Sequence, residues 1–178
     1  MFGLFKKKEP GIVVTDKIVI GKSARLNALH AAWVNDPETV FIFWFDESLE
    51  TAAAWFTAQG SMAPLLTARE TTISQLAGKT VVFAEHYPVR SKEEDLYRKL
   101  NLTAVTVYSS LEDPLFKRFG SDKIIQLMRQ LGMNEEEVIE HKMITKSIRD
   151  AQEKIEKKLL VEQTARSQES WLEINLPG

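Results

Sequence analysis

Apolar residues follow two alternating patterns along this chain. Short runs rich in β-branched and aromatic residues are separated by longer segments in which apolar residues recur every three or four positions. The run at 40–45 is apolar throughout, as expected for a central strand that is covered on both faces. The runs together predict strands at residues 12–14, 17–20, 40–45, 80–84 and 103–108.

The segments between these runs predict helices. Leu26, Leu29 and Trp33 mark the first helix, which ends at residues 35–37, Asn-Asp-Pro. An apolar stripe along residues 144–159 predicts a long final helix. Capping signals predict further helix starts at Asp46, at Ser91 with Glu94, at Ser110 with Asp113, and at Asn134 with Glu137.

Strands that alternate with helices predict the fold class. Such an order is typical of an α/β domain with a mostly parallel sheet and helices on both faces. We expect this domain to occupy residues 12–120, after an N-terminal tail at 1–11. The wholly helical pattern beyond it predicts a helical extension at 121–178, which ends in a short tail.

Composition and charge exclude several classes of function. The formal net charge of −2 provides no basic surface of the kind that nucleic-acid partners require, so we expect none. The chain has no cysteine, which excludes disulfides and Cys-based zinc sites. No apolar run approaches the ~20 residues that span a bilayer. We therefore expect a cytoplasmic location.

The N-terminal tail combines apolar and basic side chains. The order suits the surface of an anionic membrane, so any membrane association would be peripheral. A terminus frayed into solvent is the alternative. The residues concerned are Phe2, Leu4 and Phe5, followed by Lys6, Lys7 and Lys8.

Gly21-Lys22-Ser23 matches only the end of a phosphate-loop motif. The motif requires a glycine five positions before Gly21, because that residue lets backbone amides wrap a phosphate. Asp16 occupies that position, and residues 17–20 favour a strand over an open loop. We therefore expect a plain strand-to-helix turn at Gly21.

Acidic side chains follow two of the predicted strands. Ligands of open α/β sheets bind beyond the carboxyl ends of the strands, where this chain has Asp46, Glu85 and His86. Carboxylates at that place repel phosphate, but they can hold Mg²⁺ or transfer protons. A small hydrolase or a nucleotide- or Mg²⁺-binding protein is therefore one hypothesis. The alternative for Asp46 is a helix-capping role.

The C-terminal third of the chain contains the segment YSSLEDPLFKRFGSDKI at 108–124, which resembles part of the SecA preprotein translocase ATPase. In SecA the matching segment closes the second nucleotide-binding domain and leads into the long helix of the helical scaffold. Residues 17–60 and 80–86 bear a fainter likeness to the same domain. The resemblance implies a RecA-like, P-loop NTPase-like three-layer fold. The resemblance to SecA begins with the segment at 108–124 and continues in register through residues 127–128, 131–133, 139–141, 143–148 and 151–156.

The arginine-rich motif of that SecA domain is not reproduced. Arg90 and Arg98 are the only arginines between Glu85 and Tyr108. In motors of this class the second domain lends arginines to the transition state of ATP hydrolysis. The resemblance therefore implies a degenerate, stand-alone domain with no cofactor and no ATPase activity of its own. Its expected partners are other proteins, among them translocase components, or a second copy, in the cytoplasm or at the periphery of the inner membrane.

Overall fold

The computed structural model describes residues 11–176 of the 178-residue chain. The hypothesis of a membrane-surface tail, which rests on Phe2, Leu4, Phe5 and Lys6 to Lys8, lies outside the described residues. Within them the chain forms β1 (Val13–Val19), α1 (Lys22–Asn35), β2 (Thr39–Phe43), α2 (Asp46–Ala58), β3 (Leu65–Thr67), α3 (Ile73–Leu76), β4 (Thr80–Phe83), α4 (Arg90–Lys99), β5 (Ala104–Ser110), α5 (Pro114–Arg118), α6 (Ser121–Gln130), α7 (Lys142–Glu156) and α8 (Gln168–Asn175).

The strands form one five-stranded parallel sheet in the order β1-β5-β4-β2-β3. Helices cover both faces, so the predicted α/β class is confirmed, and the three-layer arrangement is that of a RecA-like fold. Because all strands are parallel, their carboxyl ends meet at one edge of the sheet. We call this the carboxyl-end edge, and it is where the residues after each strand can meet.

Two apolar layers enclose the sheet. All five residues of β2 are buried, and four of them, Val40 to Phe43, belong to the apolar run from which a central strand was predicted. Phe41 and Phe43 pack with Leu29 of α1 and Phe56 of α2 on one face. On the other face, Val40 and Ile42 pack with side chains of α3 and α4. The sheet is thereby rigid enough to position the loops at its carboxyl-end edge.

The helical extension packs against the α/β domain. The predicted long helix is α7, whose Ile148 joins Ile18 of β1 in a buried cluster with residues of α6. Helix α8 was not predicted, because the stripe at 144–159 was interpreted as the last helix of the extension. Its Trp171 is fully buried, with 0% exposure, beside Phe45 and Leu115. Helix α8 is therefore part of the core.

Some local predictions were wrong. The two strands predicted at 12–14 and 17–20 are a single strand, β1 (Val13–Val19), and no helix begins at Asn134. Ile139 instead bridges the free edge of β1, because its N–H and C=O both bond to the backbone of Ile18, at 2.8 and 2.9 Å. The extra partner makes an extended conformation there more favourable than a helix.

The capping box predicted at Ser91 is not formed. The N-cap of α4 is Val89, and the hydroxyl of Ser91 bonds to Glu156 of α7. Glu94 pairs with two arginines of its own helix, Arg90 and Arg98. Ser91 therefore contacts α7, and Glu94 forms ion pairs along α4, in place of the predicted local cap.

Candidate functional site

The three predicted site residues do not converge. Asp46 lies in the first turn of α2, where Phe45 is the N-cap, so the predicted capping role of Asp46 was wrong. Its carboxylate accepts a hydrogen bond of 2.9 Å from Arg69 in the loop after β3. Glu85 and His86 are neighbours after β4, but both are buried and each bonds to a different set of partners.

Glu85 ties the end of β4 to the end of β2. One carboxylate oxygen accepts from the backbone N–H groups of Trp44 and Phe45, at 2.9 and 3.0 Å, and the other accepts from the hydroxyl of Ser48 at 2.7 Å. Burial raises the pKa of Glu85 to about 7, although the charge of Arg25 and these hydrogen bonds oppose the rise. All its bonds go to the protein itself, which suits a structural carboxyl group.

His86 lies between two buried carboxylates. Its Nε2 is 2.7 Å from Asp16 of β1, and its Nδ1 is 3.0 Å from Glu93 of α4. Burial by itself would lower the pKa of His86, but Glu93 and Asp16 outweigh that effect and raise it to about 10. Burial likewise opposes ionisation of Asp16, but the hydrogen bond and charge of His86 keep its pKa below the ordinary value. His86 is therefore a doubly donating imidazolium, which can serve neither as a base nor as a metal ligand.

The two C-terminal helices hold the loop after β4. Gln152 of α7 donates to the carbonyl of Tyr87 at 2.7 Å and to Glu93 at 2.9 Å. Gln168 of α8 donates to the carbonyl of His86 at 2.9 Å and accepts from the N–H of Leu115 at 2.8 Å. Both glutamines are buried. The helical extension therefore closes the carboxyl-end edge with polar contacts as well as apolar packing.

Carboxylates of the chain itself also surround the N-terminus of α1. The N–H of Lys22 donates to Glu112 Oε2 at 3.1 Å. A Cβ built on Gly21 would lie 3.5 Å from Glu135 Oε2 and 3.8 Å from Glu112 Oε2. Helix N-termini at this place in α/β folds bind phosphate through their amides and dipole. Here the carboxylates of Glu112 and Glu135, from the same chain, lie at the helix N-terminus where a phosphate would bind.

Arg25 of α1 also bonds to a partner within the chain, Asp113. One of its guanidinium nitrogens bonds to both oxygens of Asp113, at 2.8 and 2.9 Å, and both side chains are buried. Asp113 also accepts from the N–H of Ser110 at 2.9 Å. The prediction that Ser110 with Asp113 caps α5 was wrong, because the Asp113 carboxylate bonds to Arg25 and to the N–H of Ser110 instead. Asp113 occupies the N-cap position of α5 but makes no side-chain cap bond.

Within residues 11–176 no group of three or more His, Asp or Glu side chains is arranged to hold a metal ion. None of the helices described is long and apolar enough to cross a membrane.

The structure thus defines a RecA-like α/β domain in which Asp46, Glu85 and His86, beyond the strand ends, each bond to partners within the chain. No protein-family model matches the chain. It is similar to the protein translocase subunit SecA of Acidithiobacillus ferrooxidans, with 57% identity over 49 residues, which cover 28% of this chain and 5% of that protein. Over the same length, SecA 1 of Chlorobium chlorochromatii is 59% identical and SecA of Acinetobacter baumannii is 49% identical. The chain therefore contains a SecA-like segment, and the match spans about a twentieth of each relative.

The sequence did not reveal the partners that close this edge. Asp16 was interpreted only as the residue that breaks a phosphate-loop motif, and no role was predicted for Gln152 or Gln168. A polar residue on the apolar face of an amphipathic helix is the signal that could have identified Gln152, since such residues are buried when they find a partner.

Proposed function

We propose that this protein is a non-catalytic interaction module, derived from the second motor domain of a SecA-like ATPase and linked to protein translocation. The observation that carries the proposal is the closed carboxyl-end edge. A nucleotide would have to displace Glu112 from the amide of Lys22 and Asp113 from Arg25. Each displacement would break a bond that the chain already makes without a ligand, and that loss would weaken nucleotide binding.

The assignment to the second motor domain rests on where the resemblance lies. The segment 108–156, on which the resemblance was recognised, has the same length as the 49 residues aligned with SecA. In SecA that segment belongs to the end of the second nucleotide-binding domain and the start of the scaffold. The loss of the arginine-rich motif upstream supports the view that the domain is degenerate. The activities and partners of SecA come to this chain only as part of this proposal.

The alternative was a small hydrolase, or a nucleotide- or Mg²⁺-binding protein, that uses Asp46, Glu85 and His86. The geometry disfavours it, because these side chains point to separate internal partners. A general base or a metal ligand needs a free lone pair directed at a common point. We expect none of the three to contact a substrate.

Thermal unfolding in the presence of nucleotides tests the catalytic half of the proposal. We expect no change in Tm with ATP or ADP, with or without Mg²⁺, since only a ligand that binds the native state raises its stability. A parallel assay of phosphate release should show no ATP hydrolysis, while an intact SecA serves as the positive control. A rise in Tm of several degrees with any nucleotide would contradict the proposal.

Binding to purified translocase components tests the interaction half. We expect this chain to bind at least one component, at the cytoplasmic surface or the periphery of the inner membrane. If neither these components nor SecA itself binds in a direct assay with the immobilised chain, the link to translocation is wrong.

A further inference from the structure

A cavity lies on the α4 side of the carboxyl-end edge. We name it the α4 cavity, and its volume is about 520 Å³. It is lined by Trp44, Phe45 and Tyr87, which follow β2 and β4, by side chains of α4, and by the loop before α8. Ligand sites in proteins are concave, partly apolar and of this size. The bonds that hold the edge therefore leave room for a small molecule beside it.

The cavity lies where the path of the chain diverges. Strands β2 and β4 are parallel neighbours in the sheet. Strand β2 leads into α2, which packs on one face of the sheet, and β4 leads into α4, which packs on the other face. Loops that leave neighbouring strands towards opposite faces open a crevice, and ligands of open α/β sheets bind in that crevice. The position of the cavity therefore matches that of a ligand site.

One wall of the cavity is aromatic. The ring centroids of Trp44 and Tyr87 are 5.0 Å apart, and those of Phe45 and Tyr87 are 5.6 Å apart. The indole N–H of Trp44 is buried and has no hydrogen-bond partner among the described residues, which is uncommon for a buried donor. A planar apolar ring suits this wall, because aromatic rings pair in offset-stacked or edge-to-face contacts.

The charged side chains that line the cavity are mostly cations. Arg69, Lys92 and Lys99 line it, and Glu162 is the one carboxylate among the described lining residues. Glu162 already accepts a hydrogen bond from the hydroxyl of Tyr87, and its carboxylate lies 3.5 Å from the Lys92 ammonium. An anion in the cavity would therefore encounter more positive than negative charge.

Lys99 is the cation whose charge has no internal partner. Arg69 pairs with Asp46 at 2.9 Å. Asp95 lies four residues before Lys99 on α4, but it pairs with Arg98 instead, at 3.3 Å. Lys99 itself is exposed and forms no ion pair in the part of the chain that the structure describes. An anionic group in the cavity can therefore pair with Lys99 without displacing another carboxylate.

We propose that the α4 cavity binds a small planar anion, in which an aromatic ring carries a single carboxylate. The ring contacts Trp44 and Tyr87, and the carboxylate pairs with Lys99. This ligand site goes beyond the proposed function of the chain as an interaction module and does not depend on it.

The backbone around the cavity disfavours a nucleotide as its ligand. Phosphate groups bind to free backbone amides at helix N-termini. Here the amide of Glu47, in the first turn of α2, donates to the carbonyl of Arg166 at 3.0 Å. The amides of Trp44 and Phe45 both donate to Glu85. A single carboxylate does not need such amides, because one ammonium group can pair with it.

Titrations of the full chain followed by NMR test the site. The probe is 2-naphthoate, and 2-naphthamide is its neutral counterpart of nearly the same shape. We expect 2-naphthoate to shift the indole N–H signal of Trp44, which is assigned by its loss in Trp44→Phe, and to bind at least fivefold more tightly than 2-naphthamide. The indole signals of Trp33 and Trp55, on the other face of the sheet, should not move. No shift at Trp44, or equal affinity for the two probes, would overturn the proposal.

Charge reversal on α4 makes the test specific. Lys99→Glu should weaken binding of 2-naphthoate at least fivefold and leave binding of 2-naphthamide unchanged. The matched control is Lys123→Glu, at an exposed lysine of α6 that does not line the cavity, and it should change neither affinity. Both positions are exposed, so both variants should fold. Equal effects of the two substitutions would refute the pairing of the ligand with Lys99.

Another concavity of the chain serves as an internal control. The α5–α7 groove lies open to solvent between α5, α6 and α7, and its volume is about 420 Å³. Its walls include Phe119, Ile124 and Met143, and none of the described residues that line it is charged. This groove should not distinguish 2-naphthoate from 2-naphthamide. Shifts confined to the amides of α6 and α7 would place the ligand there and overturn the assignment.

Titrations with ATP and AMP separate this proposal from the proposed function. Neither nucleotide should shift the indole signal of Trp44. A shift with either nucleotide would identify the cavity as a nucleotide site and would contradict both proposals. If 2-naphthoate fails to bind and the nucleotides also have no effect, the α4 cavity is not the site of an aromatic anion, and the proposed function still stands.

Discussion

The carboxyl-end edge of the sheet and the α5–α7 groove differ in what they offer a ligand. At the edge, Glu85, His86 and Arg25 are all bonded to groups of the chain itself. In the groove, Ile124 and Met143 are at least half exposed and have no comparable cover. The first region lies where α/β folds bind nucleotides, and the second lies between helices that follow the sheet. The difference shows that groups of the same chain already bond to the polar side chains at the edge, while the apolar side chains of the groove stay uncovered.

Of the substitutions considered, removal of the His86 side chain should lower the free energy of unfolding most. His86→Ala leaves Asp16 and Glu93 buried without their shared cation, and removing one partner of a buried ion pair costs about 3–5 kcal/mol. Urea unfolding monitored by tryptophan fluorescence measures the loss. The control, His141→Ala, removes an exposed cap of α7 and should cost about 1 kcal/mol. A loss below that of the control would show that the edge is not held by this network.

The dependence of stability on pH should reveal the same network. The pKa of His86 is raised from 6.5 to about 10, so its contribution is complete below pH 6.5 and is lost as the pH rises towards 10. The pKa of Glu85 is raised from 4.5 to about 7, so the folded state is also favoured at the lower end of this range. The free energy of unfolding should therefore fall by on the order of a few kcal/mol between pH 5 and pH 9.

Below this range the sign reverses. The pKa of Asp16 lies below its ordinary value of 3.8, so its contribution is present above that value and is lost as the pH falls further. The variant Glu85→Gln should abolish the part of the pH dependence between 4.5 and 7, because it cannot ionise. Urea midpoints that rise from pH 5 to pH 9 would contradict the assigned roles of both groups.

Loss of the Gln168 side chain should have an intermediate effect. Gln168→Ala leaves the N–H of Leu115 and the carbonyl of His86 buried without partners, which costs about 1–3 kcal/mol. Hydrogen exchange should show faster exchange of the Leu115 amide. Gln163→Ala, an exposed glutamine just before α8, should change stability by less than about 0.5 kcal/mol. If the two variants behave alike, α8 does not clamp the edge.

A substitution on the wall of the groove between α5, α6 and α7 should have the smallest effect on the free energy of unfolding. Met143→Glu places a charge on a side chain that is 71% exposed, so the free energy of unfolding should shift by less than about 0.5 kcal/mol. Chemical denaturation of this variant beside the wild-type chain measures the shift. A cost above about 1 kcal/mol would mean that the groove is part of the structural core.

The pattern of the chain predicted most of its architecture. The strands 40–45 and 80–84 and the long final helix were evident because one strand run or one helical stripe contains the whole signal. Helix α8 escaped prediction because Trp171 and Leu172 are too few to form a stripe, and their burial depends on Phe45 and Leu115, which are distant in sequence. Local pattern therefore predicted the elements that are long and periodic.

Local strand and helix patterns in the sequence could not predict the polar contacts of the candidate site. The bonds from His86 to Asp16 and to Gln168 join residues 70 and 82 positions apart, and the bond from Arg25 to Asp113 spans 88 positions. Nothing local distinguishes a carboxylate that caps a helix from one that pairs with a distant cation. Asp46, Glu85 and His86 were correctly placed after strands, but their partners and their lack of a common target were not predictable.

The sequence by itself determined the α/β alternation, the absence of a phosphate loop and the SecA-like helical segment, because each depends on residues close together in the chain. Only the tertiary structure decided that the carboxyl-end edge is closed and that the α5–α7 groove is open. Both outcomes depend on which side chains meet across the fold. A buried charge is stable only with a partner, and an apolar side chain stays exposed only where the chain offers nothing to cover it.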